Sequence, residues 1–157
     1  AMKVGGTTDS PSRAWNTSLG THLTDFTLTV DARLTNGTDG GFQIFFRKAT
    51  DDNTDDNTYS VIIDARDGQA LLTKKLNGEA TASDWVKDAA IDTKGGVNRV
   101  SIRCFEDQIQ ITVNGDDVFN VTDDSIREGR IGLGVIAWGD PPVVNFDNII
   151  ITTPSEG

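Results

Sequence analysis

A chain of 157 residues with 24 acidic and 14 basic side chains has a formal charge of −10. It repels phosphate backbones and anionic lipid surfaces alike, so neither nucleic acid nor a membrane is an expected partner. Sixteen glycines, one cysteine and a hydrophobic share of 36% describe one turn-rich domain without an internal disulfide, and no run reaches the ~20 apolar residues of a membrane span.

In chain order, residues 1–11 open with Ala before Met and read as a cloning remnant and tail. The folded domain is expected over 12–153, and 154–157 as the start of a linker. A short strand is expected near 13–15. The stretch 24–34 alternates Phe26, Leu28, Val30, Ala32 and Leu34 against Thr27, Thr29, Asp31 and Arg33, which predicts a half-buried strand. Asn36-Gly37 and Gly40-Gly41 turn the chain into a second, with Phe42, Ile44 and Phe46 inward. The strand 59–65 follows, then Asp67-Gly68, the strand 69–75 and Asn77-Gly78. Stretches 97–106 and 108–114 alternate in the same way, with Cys104 as a buried, inert thiol. Asn114-Gly115 leads into 118–121, and 129–138 and 143–152 close the series. Residues 79–94, polar with one large anchor in Trp85, read as a long loop, and 122–127 as one helical turn. About ten evenly spaced strands predict an all-β, antiparallel two-sheet sandwich.

The ordered motifs Asp25-Phe26-Thr27-Leu28, Gly41-Phe42-Gln43-Ile44-Phe45-Phe46-Arg47, Tyr59, Asn98-Arg99-Val100, Ile111-Thr112-Val113-Asn114-Gly115, Gly129-Arg130-Ile131-Gly132-Leu133 and Phe146-Asp147-Asn148-Ile149 carry a resemblance. Together they resemble the concanavalin A-like, laminin-G-like jelly roll, in particular its bacterial keto-disaccharide-hydrolase-like branch. The resemblance spans about 13–152. It implies two stacked antiparallel sheets whose first and last strands lie close together, and a face or rim that meets carbohydrate. It transfers no catalytic residue, because no catalytic motif matches.

The residues themselves argue for binding over catalysis. The one histidine, His22, stands in a polar segment, and one His with one Cys falls short of a transition-metal site. A glycosidase needs two carboxylates ~5–9 Å apart. Glu79, Glu106, Glu128 and Glu156 are the four glutamates, and none lies mid-strand on a convincing face; Asp31, Asp64 and Asp147 read more simply as solvent-facing strand residues. No cofactor is required. Calcium is the exception to weigh: Asp51, Asn53, Asp55 and Asn57 alternate as hard oxygen ligands, but Asp56 and Ile62 occupy the positions where an EF-hand has Gly and Glu. A solvated hairpin tip is the simpler account, and loop carboxylates such as Asp39, Asp140 and Asp147 are the other weak candidates for a structural ion.

If Ile44, Phe46, Leu133, Val135 and Ala137 face the core, then Gln43, Phe45, Arg47, Ile136 and Trp138 face away, with Gln110, Thr112 and Asn114 likewise on a third strand. Gly132 and Gly134 would leave room for a ligand near the backbone. Aromatic faces stack on sugar rings, while Arg, Gln and Asn bond hydroxyls. The expected ligand-binding set is therefore Gln43, Arg47, Trp138, Gln110 and Asp140. Against it stands a second small core, with Phe45 and Ile136 under a loop such as 79–94. The expected function is that of a non-catalytic carbohydrate-binding module for a poly- or oligosaccharide, joined to other domains of a larger extracellular or cell-surface protein. The alternatives are a glycoside-cleaving domain and a structural or adhesion spacer.

Overall fold

The computed structural model describes residues 2–5, 12–15, 19–35, 40–49, 57–138 and 143–154, the stretches 2–5, 12–15 and 19–21 by their backbone. Two antiparallel sheets are stacked face to face. The first has the order β1 (Met2–Gly5), β14 (Val143–Thr152), β4 (Phe26–Leu34), β10 (Asn98–Phe105), β11 (Gln108–Val113) and β12 (Asp116–Thr122). The second runs β2 (Ser12–Trp15), β13 (Gly129–Ala137), β5 (Gly40–Lys48), β6 (Thr58–Asp64), β7 (Gln69–Leu76) and β8 (Glu79–Ala82). Two short strands flank it: β3 (Leu19–Leu23) pairs with β13, and β9 (Val86–Lys87) with β7.

The alternation in the sequence becomes the core. Leu28, Val30, Val100, Ile102, Ile109 and Ile111 of the first sheet meet Phe42, Ile44, Val61, Ile63, Leu133 and Val135 of the second, all fully buried. Each such side chain contributes about 1.5–3 kcal/mol through the apolar area it removes from water. Phe42 meets Phe146 edge-on across the sandwich, ring centroids 6.0 Å apart. Phe46 stacks on Tyr59 at 5.3 Å.

Turn chemistry sets the register as expected. Asn77-Gly78 and Asn114-Gly115 both have positive φ at each residue, the backbone of a two-residue hairpin whose twist matches its strands. At the β6–β7 hairpin, buried Asp64 accepts the amides of Arg66 and Asp67 at 2.9 and 3.2 Å. That cap pairs Asp64 with Gln69 and, along the ladder, Ser60 with Thr73.

Three expectations on local structure are corrected. Glu79–Ala82 is a strand instead of a loop; its residues are all exposed, so an edge strand held by the β7 ladder left no alternation to read. No helical turn forms at 122–127: Thr122 ends β12, and the following residues are irregular. Met2–Gly5, expected in a tail, pairs with Val143–Phe146 and extends the first sheet.

Candidate functional site

The outward face of the second sheet is built from residues that alternate with its core. Register aligns Phe45 with Ser60, Ser60 with Thr73 and Thr73 with Ala82, and beside them Gln43 with Ile62 and Ile62 with Leu71. These residues, with Thr58, Lys75 and Ala80, line an elongated groove of about 320 Å³ over β5–β8. The two alanines keep its far wall low.

A polar relay crosses the floor. Gln43 donates from Nε2 to Ser60 Oγ at 2.8 Å, and Ser60 Oγ is hydrogen-bonded to Thr73 Oγ1. Gln43 is 3% exposed, and its Oε1 accepts no hydrogen bond among the described residues. A buried amide oxygen without a donor costs about 1–3 kcal/mol, so this oxygen, beneath the groove floor, would gain from a donor brought to it. Phe45, Ile62 and Ile136 on the same face are nearly fully buried, so the apolar part of the face is packed and does not form an open aromatic platform.

Of the ligand-binding residues expected from the sequence, Gln43 lines this groove. Trp138 sits at the end of β13 on the same face, half-buried over Gly41, with the Arg66 guanidinium 4.6 Å from its ring centroid. Arg47 does not join them. A bulge intervenes where Arg47 has φ of 50° and the β5–β13 register shifts between Arg130 and Gly132. The bulge breaks the alternation, so Arg47 is fully buried at the end of the sandwich. There it donates to the carbonyl oxygens of Ile126 and Thr24, each at 2.9 Å, with Asp25 Oδ1 3.7 Å away. Gly129 permits the bulge: a Cβ on it would lie 2.2 Å from the Arg47 carbonyl carbon.

Lys48 follows the bulge on the outward side, and its stem covers Gly132, 3.2 Å from where a Cβ would stand. The room expected above Gly132 is thus filled by a neighbouring side chain. Gln110 faces away from the core as expected, but on the other sheet, where its Nε2 bonds Asp117 at 2.8 Å. Asn114 serves its turn, capping the Arg99 amide at 2.8 Å. Asp140, Asp39, Asp51, Asn53 and Asp55, and with the last three the proposed calcium loop, lie outside the described residues.

Asp31 and Arg99 are engaged structurally. Asp31 holds Arg99 through two contacts at 2.8 and 3.1 Å and accepts from Asn148. The Arg99 bond keeps its carboxyl below the usual range against the opposing effect of burial, with Asn148 assisting. Burial pushes the Cys104 thiol up to about 12, in keeping with an inert core cysteine. Sequence reasoning missed Ser60 and Thr73. Counting back from the Asp67-Gly68 turn would have set them opposite each other.

The family of 3-keto-alpha-glucoside-1,2-lyase-like domains matches residues 3–152. The carbohydrate-binding module CBM66 from Bacillus subtilis superposes with a TM-score of 0.72 at 23% identity, covering 95% of this chain and 86% of that one. Sheep galectin-11 in complex with glycerol gives 0.58 at 14% identity, covering 93% and 100%. A putative glycosyl hydrolase from Parabacteroides distasonis gives 0.63 at 10%, covering 88% and 76%. At such identities these likenesses speak for the fold, a concanavalin A-like jelly roll. No relative is found among the curated proteins. The match over nearly the whole length decides the family: the chain belongs to the 3-keto-alpha-glucoside-1,2-lyase-like domains.

Proposed function

We propose that this domain binds a short saccharide in the groove over β5–β8, as a module of a larger extracellular or cell-surface protein. The observation that carries the reading is the buried Oε1 of Gln43, unpartnered among the described residues, on a floor of hydrogen-bonded hydroxyls. A sugar hydroxyl donating to it would relieve a standing desolvation cost, while Ser60 and Thr73 offer further donors and acceptors. The described groove residues supply amide, hydroxyl and ammonium groups, a set suited to holding hydroxyls more than to moving protons. The likeness to a carbohydrate-binding module and a galectin points the same way.

Calorimetric titration with glucose, sucrose, trehalose and maltose tests the reading. Binding of at least one is expected, weakened about tenfold or more in Gln43→Leu, which corresponds to ~1.4 kcal/mol. Unchanged affinity in a folded Gln43→Leu protein would remove the groove from consideration. The family match supports a second reading, cleavage of a 3-keto-α-glucoside at the same place. Steady loss of such a glycoside, with matching release of its cleaved products, would favour that reading over simple binding.

A further inference from the structure

On the opposite side of the molecule, the outward face of the first sheet carries a row that none of the residues above explains. Register places Thr152 beside Thr27, Thr27 beside Arg103, Arg103 beside Gln110 and Gln110 beside Asn120. Directly paired residues share a face, so these five side chains stand in one line across β14, β4, β10, β11 and β12. Next to Arg103 along β10 stands Phe105, 44% exposed, opposite Gln108. Two shallow depressions, of about 230 and 240 Å³, lie on either side of the Arg103–Phe105 pair.

The pair is unusual in this molecule. The Arg103 side chain makes no hydrogen bond or ion pair among the described residues, although the chain has 24 acidic side chains to 14 basic. The Asn120 side chain likewise has no partner among the described residues, and Gln110, whose Nε2 is used by Asp117, keeps its carbonyl oxygen open to an incoming donor. An exposed aromatic ring beside an unengaged guanidinium, with the Gln110 carbonyl oxygen and the Asn120 amide further along the row, combines a stacking surface with donors and acceptors for hydroxyls.

We infer that this face is a second ligand surface, which takes a linear neutral polysaccharide lying across the strands. The strands are ~4.8 Å apart, so the row offers one polar side chain per step along some 19 Å, a spacing suited to successive rings of an extended chain. Phe105 supplies the ring face, and the two depressions seat the sugars on either side of it. Asp107 and Asp117, which flank the row through Gln108 and Gln110, disfavour an anionic chain, so the ligand is uncharged. The inference stands apart from the groove of the second sheet, since it involves the other sheet and a longer ligand.

Native affinity electrophoresis separates the two sites. The protein and its Phe105→Ala, Arg103→Ala and Gln43→Leu variants are run in gels containing hydroxyethylcellulose, galactomannan or, as the anionic comparison, polygalacturonate. Expected is retardation by at least one neutral polymer, reduced fivefold or more in Phe105→Ala and in Arg103→Ala but retained in Gln43→Leu. Melting curves of the two surface variants should match the parent, because both side chains are exposed. Retardation unchanged in Phe105→Ala overturns the inference, as does retardation by polygalacturonate alone or by no polymer. Retardation lost only in Gln43→Leu overturns it while supporting the groove.

Discussion

Arg47 shows how one backbone torsion decides a side chain's role. In a regular strand it would share the outward face with Gln43, four residues before it. The bulge instead turns its guanidinium onto the carbonyl oxygens of Thr24 and Ile126, joining two loops at the end of the sandwich. Arg47→Met should therefore cost about 3 kcal/mol, since it strands one buried and one part-buried carbonyl oxygen and removes the neighbour of Asp25. Urea denaturation checks this, and a loss below about 1 kcal/mol would mean that the clasp is dispensable. Cys104, with its thiol pushed up to about 12 by burial, should resist a disulfide reagent at pH 8 in the folded protein and react rapidly once denaturant is added. Fast labelling of the native state would contradict its burial.

At the level of elements, the segment between β12 and β13 is tied to the second sheet by one acidic residue. Asp123 accepts from Tyr59 Oη at 2.6 Å, from Lys74 Nζ at 2.8 Å and from the Ser125 amide at 2.9 Å. Burial alone would raise its pKa, but the bonds from Lys74, Tyr59 and Ser125 outweigh that and hold the carboxyl well below its usual range. Tyr59 is pushed up, by burial first and by its bond to Asp123 second. A depressed carboxylate stabilises the fold above its unfolded pKa of ~3.9, and that stability drains away as pH falls toward the folded value. Stability should hence decline below about pH 4, and Asp123→Asn should flatten that decline while lowering stability at neutral pH; parallel profiles for the two proteins would refute the tie. At the β11–β12 turn the sign is reversed. Asp116 is raised by its hydrogen bond to Asp88 and by the charge there, so Asp116→Asn should modestly raise the melting temperature at pH 7 and lose that advantage as pH drops through the raised value.

The whole molecule closes by pairing its first described strand with its last, Met2 opposite Phe146 and Gly5 opposite Val143. Deleting residues 1–5 removes a four-residue ladder whose bonds, at ~1 kcal/mol each, are largely offset by the ~1–2 kcal/mol per residue of backbone order regained. The melting temperature should shift little. What changes is the edge: Val143–Phe146 loses its outer partner and becomes an open template, so the truncated protein should self-associate more readily in light scattering at high concentration. A strictly monomeric truncation would show that the edge is protected by other means.

The strands were legible because burial on one face writes itself as apolar residues at every second position, as in Phe26–Leu34 and the run from Val100 to Cys104, and because Asn-Gly pairs mark tight hairpins. Gln43 was legible as an outward residue for the same reason. Alternation is a local signal, however, and it fails where the backbone steps out of register or where an edge strand buries nothing. Hence alternation puts Arg47 on the wrong side of the sheet and Glu79–Ala82 in a loop. Nor does alternation say which of two sheets an outward residue belongs to. Gln110 and Gln43 look equivalent along the chain, yet the stacking of the sheets turns them to opposite sides of the molecule, and the relay from Gln43 through Ser60 to Thr73 exists only because three strands align. Which residues avoid water is determined locally by side-chain chemistry; which of the remaining ones meet is decided by pairing between strands distant in sequence, and only the tertiary structure contains that.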